Sequence, residues 1–170
     1  MGLFDFLKNK EAKAAPAAIT FPAVLDAPAK GTYVPMAEVP DEVFSQGIMG
    51  VCCGVEPEEG KVYAPVDGKI SQTTDTMHAL GIEADGMELL IHVGVDTVDM
   101  NGRGFTNKVK EGQAVKKGEL LMTMDLAEIR AAGHPATVIL AVTNSDDFAS
   151  VEPVASGAVQ LGTGVLKVSK

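Results

Sequence analysis

Residues 78–92 read His-Ala-Leu-Gly-Ile-Glu-Ala-Asp-Gly-Met-Glu-Leu-Leu-Ile-His, and this stretch has the pattern of a β-hairpin. Two mainly aliphatic runs flank residues 84–86, Ala-Asp-Gly, which suit a three-residue loop with its glycine in the left-handed region. With a loop of that length, His78 lies directly opposite His92 on the same face of the hairpin. The stretch therefore predicts two antiparallel strands that carry a pair of facing histidines.

Side chains alternate between two faces along the second strand of this hairpin. One face carries His92, and Gly94 beside it is expected to leave room for a bound group. On the first strand, Thr76 shares the face of His78, and its hydroxyl can fix the orientation and tautomer of that ring. The opposite face of the second strand is an apolar stripe for the core, formed by Met87, Leu89, Ile91, Val93 and Val95.

Two facing imidazoles have three interpretations, and the residues alone leave all three open. One neutral ring can attack phosphorus while the other donates a hydrogen bond to the phosphoryl oxygens. Alternatively, His78 and His92 can bind a metal ion such as zinc. The pair can also be a cross-strand contact with no chemistry.

The remainder of the chain reads as short strands and turns, so the fold class predicted is all-β, an antiparallel β-sandwich or barrel with minor short helices. Glycine and proline number 18 and 9, and aromatic residues make up only 5%, so aliphatic side chains must build the core. The elements predicted along the chain are an Asp67-Gly68 turn, tight loops and short strands over residues 109–121, a helix that Asp125 caps and Gly133 ends, and closing strands at residues 136–142 and 165–168.

The net charge of −9 argues against a nucleic-acid partner, because phosphate backbones are bound mainly by lysine and arginine. No apolar stretch approaches the roughly 20 residues that span a bilayer, and no signal peptide is visible, so a cytoplasmic location is expected. The cysteines, Cys52 and Cys53, are adjacent. They are interpreted as two thiols in or beside a strand with one facing inward, because neither has the neighbours that a metal or redox motif requires.

Residues 1–18 are predicted to be an amphipathic N-terminal segment and linker that precede a domain at residues 19–170. Leu3, Phe4 and Leu7 share one helical face, and lysines follow at positions 8 and 10. Such a segment can lie on an anionic membrane surface. It predicts a peripheral contact of residues 2–10 with the inner face of the membrane.

Four stretches together resemble the glucose-type enzyme IIA proteins of the bacterial sugar phosphotransferase system. They are Ala64-Pro-Val-Asp-Gly68, Thr76-Met-His78-Ala, Glu88-Leu-Leu-Ile-His92-Val-Gly-Val-Asp-Thr97 and Val109-Lys-Glu-Gly-Gln-Ala-Val-Lys-Lys-Gly118. The resemblance covers essentially the whole chain. It implies an antiparallel β-sandwich phosphocarrier that requires no cofactor.

The resemblance also implies roles for individual residues. His92 takes a phosphoryl group on Nε2 from the phosphocarrier protein HPr and passes it to a cysteine of an enzyme IIB domain during sugar uptake. His78 supports the transfer, and Thr76 orients His78. The enteric members of the family also regulate other transporters and metabolic enzymes by direct binding, so a regulatory binding protein is an alternative.

The resemblance further implies an apolar docking surface with an acidic rim, which suits an arginine-rich partner. Its apolar part is Val43, Phe44, Ile48, Met49 and Leu90, and its rim is Asp41, Asp96 and Asp99. The sequence departs from the family at Cys52-Cys53, where a Gly-Ile-like strand start is usual, and in three further ways. The histidines are one residue closer than usual, Met77 replaces an asparagine, and Leu90 replaces an aromatic residue.

Two other classes share parts of these patterns. A biotinyl or lipoyl carrier domain needs a lysine on an exposed turn beside methionine, and residues 121–125, Leu-Met-Thr-Met-Asp, supply none. A lysostaphin-like zinc peptidase requires a His-x-His pair that this chain lacks. Both are therefore weaker interpretations than the phosphocarrier.

Overall fold

The computed structural model of the chain describes residues 18–170, and the predicted amphipathic segment at residues 2–10 lies outside them. The strands are β1 (Ala23–Asp26), β2 (Gly31–Val34), β3 (Val51–Pro57), β4 (Lys61–Tyr63), β5 (Gly68–Thr73), β6 (Ala79–Ala84), β7 (Met87–Val93), β8 (Phe105–Asn107), β9 (Ala114–Val115), β10 (Leu120–Met124), β11 (Val138–Val142), β12 (Ser150–Pro153), β13 (Ala158–Val159) and β14 (Gly164–Ser169). Two short helices, α1 (Glu42–Ser45) and α2 (Leu126–Ala131), and three 3₁₀ turns at Met36–Glu38, Thr97–Met100 and Ser145–Asp147 complete the described elements.

The strands form an antiparallel β-sandwich, so the predicted fold class is confirmed. The large sheet has the order β13-β2-β3-β11-β7-β6-β5-β9, and two three-stranded sheets have the orders β1-β14-β12 and β4-β10-β8. Every recorded strand pair is antiparallel. Within residues 18–170 there is no helix of the length and apolar character that crossing a bilayer requires.

Strand β11 lies at the centre of the large sheet and is buried on both faces. Val138, Leu140 and Val142 face the main core, where a fully buried aliphatic side chain contributes about 1.5–3 kcal/mol. Ile139 and Ala141 face the other way, into a second group of buried residues under the segment 36–50. We call this group the outer cluster, and its buried members are Val39, Phe44, Cys52, Ile139 and Ala141.

The hairpin of β6 and β7 forms with a register one residue away from the predicted one. Ala84 pairs with Met87 and Ala79 pairs with His92, so the loop has two residues, Asp85 and Gly86, and the predicted three-residue loop is wrong. Both loop residues have positive φ, at 48° and 88°. Two such residues form the tight turn whose twist matches that of the strands, and Asp-Gly is a preferred pair for it.

The predicted alternation of β7 is confirmed, because Met87, Leu89, Ile91 and Val93 are buried and the residues between them are partly or fully exposed. The predicted helix is α2. Its cap is confirmed as well, since the Asp125 carboxylate accepts a hydrogen bond from the Glu128 amide at 3.0 Å.

The predicted turn at Asp67-Gly68 does not join a hairpin. β4 before it pairs with β10, whereas β5 after it pairs with β6 and β9 in the large sheet. The chain therefore crosses from one sheet to the other at this point. A local Asp-Gly signal identifies a change of direction but not which strands lie on either side of it.

Cys52 and Cys53 point to opposite faces of β3, and both are buried free thiols. Cys53 lies in the main core, while Cys52 lies in the outer cluster and its thiol donates to the Phe44 carbonyl at 3.3 Å. Burial, with a smaller contribution from Asp41, raises the pKa of Cys52 to about 11. The expectation that only one thiol faces inward is wrong, because the outer cluster covers the second face of the sheet.

Candidate functional site

His92 lies near the end of β7, and its ring orientation is set by the backbone two residues later. Its Nδ1 is 2.8 Å from the Gly94 carbonyl oxygen. A carbonyl only accepts hydrogen bonds, so Nδ1 carries the proton and donates it. In the neutral ring, Nε2 is then unprotonated and has a free lone pair.

Gly94 has a different role from the predicted one of leaving space beside His92. It is buried, its φ is +79°, and a Cβ built on it would lie 2.9 Å from the Pro135 carbonyl oxygen and overlap the methyl group of Thr97. The position therefore requires glycine because of the left-handed backbone and the close neighbours. Its carbonyl is the part that acts on the site.

His78 lies just before β6, in a bend where Met77 has a φ of +59°. The two histidine rings meet edge to face, with centroids 4.9 Å apart and an interplanar angle of 82°. The Thr76 hydroxyl is 2.7 Å from Nδ1 of His78, as the sequence predicts. The rings therefore meet although their residues are not a cross-strand pair, because the bend before β6 turns His78 toward its partner.

Both histidines favour the neutral form. Burial lowers the pKa of His78, and the neighbouring His92 lowers it further. Burial also lowers the pKa of His92, while the Gly94 hydrogen bond and the carboxylates of Asp41 and Asp96 oppose that effect. A neutral imidazole with a free Nε2 is the form that can act as a nucleophile.

Phe44 supports the ring of His92 from the outer cluster. The two ring centroids are 5.2 Å apart at an angle of 52°, and Phe44 is only 4% exposed. Phe44 is therefore almost fully covered within the outer cluster, and its contact with a partner stays a prediction. It lies on α1, whose first turn is capped by Asp41 through a 2.9 Å bond from the Val43 amide to the carboxylate.

The other predicted docking residues differ in how exposed their side chains are. Val43 is 43% and Ile48 is 68% exposed, which is high for aliphatic side chains. Val98 is also 48% exposed, but it was not among the predicted docking residues. Its position as an apolar residue between two predicted rim aspartates could have identified it. Of the rest, Asp96 and Asp99 are exposed, and Asp41, Met49 and Leu90 are partly buried.

The zinc interpretation has no support from the described residues. Among residues 18–170, no group of three or more histidine, cysteine, aspartate or glutamate side chains is placed to bind a metal ion. Structural zinc sites have four protein ligands and catalytic sites have three. His78 and His92 supply two, so the pair is not a zinc site by itself.

Comparisons with known proteins agree on one family. Residues 23–148, which include both histidines, match the sequence model of the phosphoenolpyruvate-dependent sugar phosphotransferase system, EIIA 1. The beta-glucoside-specific EIIBCA component of Bacillus subtilis is 43% identical over 148 residues, which are 86% of this chain and 24% of that protein. The glucose-specific EIICBA component of Streptococcus pneumoniae is 43% identical over 141 residues, or 82% of this chain and 19% of that protein.

Among solved structures, glucose permease IIA from Mycoplasma capricolum has the same fold. The TM-score is 0.76 with 32% sequence identity, and the match covers 85% of this chain and 94% of that one. The chain spans about a quarter or less of the length of the curated relatives named above.

Proposed function

Because the chain belongs to the EIIA 1 family of the phosphoenolpyruvate-dependent sugar phosphotransferase system, we propose that it carries a phosphoryl group on Nε2 of His92. Membership makes it a glucose-type phosphotransferase component. The single observation that carries the proposal is the 2.8 Å hydrogen bond from Nδ1 of His92 to the Gly94 carbonyl, which directs the free lone pair to Nε2.

The chemistry is an in-line displacement at phosphorus. The Nε2 lone pair of His92 forms the new nitrogen–phosphorus bond while the bond from phosphorus to the donor breaks. Nδ1 keeps its proton throughout, because the Gly94 carbonyl stabilises the positive charge that the ring acquires. No base is needed to remove a proton, so positioning and electrostatics are sufficient.

His78 is assigned the support of the phosphoryl oxygens. When the Thr76 hydroxyl donates to Nδ1 of His78, the proton of that neutral ring lies on Nε2. The His78 ring then offers an N–H donor beside the ring that carries the phosphoryl group, and the centroids of the two rings are 4.9 Å apart. A preorganised donor of this kind stabilises charge as it moves through the transition state.

The partners follow from the family and from the surface. We assign HPr as the donor and a cysteine of an enzyme IIB domain as the acceptor, and the relatives support the second assignment because their names combine the A, B and C components in one protein. Exposed Val43, Ile48 and Val98 provide apolar contact, while Asp96 and Asp99 favour a basic partner. The assigned location is cytoplasmic.

The test is phosphorylation with phosphoenolpyruvate, enzyme I and HPr. The chain is expected to accept one acid-labile, base-stable phosphate on Nε2 of His92. His92→Gln should accept none, whereas His134→Gln, which alters a histidine in the loop after α2, should behave like the unaltered chain. Stoichiometric phosphorylation of His92→Gln would show that the assignment is wrong.

A further inference from the structure

Thr97 is a buried polar residue that the proposed mechanism does not yet use. Its side chain is completely buried in the 3₁₀ turn after β7, and its hydroxyl donates to the Val93 carbonyl. Its methyl group lies against Gly94, since a Cβ on that glycine would overlap it. Thr97 therefore contacts the turn at residues 93–94 through both a hydrogen bond and van der Waals packing.

The backbone of this turn makes a hydrogen bond to each of the two histidines. The Val93 amide donates to the His78 carbonyl at 2.7 Å, and the Gly94 carbonyl accepts from Nδ1 of His92 at 2.8 Å. In a regular antiparallel ladder, the residue whose carbonyl accepts from the Val93 amide, here His78, would also donate its own amide to the Val93 carbonyl. Here the chain bends at His78, and the Thr97 hydroxyl supplies the donor to that carbonyl.

We propose that Thr97 is a positioning residue for phosphoryl transfer, holding the Val93–Gly94 turn so that the Gly94 carbonyl keeps the proton on Nδ1 of His92. The inference rests on the proposed function, but its immediate consequence is the tautomer of an unphosphorylated ring. Without the hydroxyl, the buried Val93 carbonyl loses its donor, and the peptide rotates to find another. The Gly94 carbonyl then moves away from Nδ1, and a ring with its proton on Nε2 has no lone pair there to attack phosphorus.

The chain offers a matched set of variants. Thr97→Val removes the hydroxyl but keeps the branched shape, and Thr97→Ser keeps the hydroxyl but removes the methyl group. Thr143→Val is the control, because its hydroxyl donates at 3.1 Å to the Glu88 carbonyl at the other end of β7. Should Thr97→Val fail to fold, Thr97→Ala compared with Thr97→Ser makes the same distinction.

The first measurement is the two-bond ¹H–¹⁵N imidazole spectrum of each unphosphorylated chain at neutral pH. The unaltered chain, Thr97→Ser and Thr143→Val should show the Nδ1–H tautomer of His92, and Thr97→Val should show a mixture of tautomers. A Thr97→Val spectrum identical to that of the unaltered chain would overturn the inference. So would a Thr97→Ser spectrum that changes as much as that of Thr97→Val, because packing alone would then explain the effect.

The second measurement is the rate of phosphorylation by HPr. Thr97→Val should be about 10- to 100-fold slower, the size of effect that a small displacement of a reacting group produces. Thr97→Ser should restore most of the rate, and a Thr97→Val rate equal to that of the unaltered chain refutes the inference. If no chain accepts phosphate, the proposed function fails, while the spectra still decide whether Thr97 holds the His92 ring.

Discussion

Replacing Gly94 by alanine should damage both the stability and the chemistry of this protein, and the structure separates the two causes. The φ of +79° costs an L-residue about 1–2 kcal/mol. The added Cβ would also lie 2.9 Å from the Pro135 carbonyl oxygen and overlap Thr97, and overpacking of this kind costs about 1–3 kcal/mol. The free energy of unfolding of Gly94→Ala should therefore fall by about 2–5 kcal/mol.

Gly86→Ala is the matched control for the backbone term alone. Gly86 has a φ of +88°, but a Cβ there would meet nothing within 4 Å. Its substitution should therefore cost only the left-handed backbone term of about 1–2 kcal/mol and leave phosphorylation unchanged.

Urea unfolding gives the two stabilities, and phosphorylation by HPr gives the chemistry. Gly94→Ala should also be about a hundredfold slower as a phosphate acceptor, because its carbonyl is displaced from Nδ1 of His92. The reasoning is refuted if Gly94→Ala is no less stable than Gly86→Ala and accepts phosphate at the normal rate.

Four further predictions follow from the site and the surface. His78→Gln should still accept phosphate from HPr but donate it to enzyme IIB about a hundred- to a thousandfold more slowly, which corresponds to a loss of ~2.7–4 kcal/mol in transition-state stabilisation. Quench-flow measurement of each half-reaction tests this, and equal slowing of the two half-reactions would contradict it. The pKa values of His78 and His92 are lowered in the folded chain, so the unfolded chain takes up protons first as the pH falls below the ordinary histidine pKa of 6.5. The free energy of unfolding should therefore have its full value above pH 6.5 and fall as the pH drops below it. Urea midpoints at neutral and acidic pH should show this, and the double variant His78→Gln/His92→Gln should show a weaker dependence; an unchanged dependence would rule the pair out as its source. Ile48→Glu should weaken HPr binding in calorimetry about tenfold without changing the unfolding midpoint, since Ile48 is 68% exposed, and normal affinity would remove it from the docking surface. Deleting residues 1–18 should leave thermal stability and phosphorylation unchanged and reduce binding to anionic vesicles, whereas a large stability loss would mean that these residues pack on the domain.

Several features were predictable from the sequence because they depend on neighbours along the chain. The alternation of β7 follows from the two-residue period of a strand, and it correctly separated buried Ile91 from His92 on the other face. The Asp125 cap follows from the unpaired amides of a first helical turn. The 2.7 Å contact between Thr76 and His78 also joins residues two positions apart.

Other features were decided by the tertiary structure, because they depend on segments that are distant in sequence. The outer cluster brings Phe44 against Ile139 and under His92, so a residue that resembles part of a surface is buried. The sequence by itself determined a β-sandwich that carries a His78–His92 pair. Only the packed chain decided which nitrogen of His92 has the free lone pair. That depends on the backbone of Gly94, which is in close contact with Thr97 and with Pro135 in the loop that leads into β11.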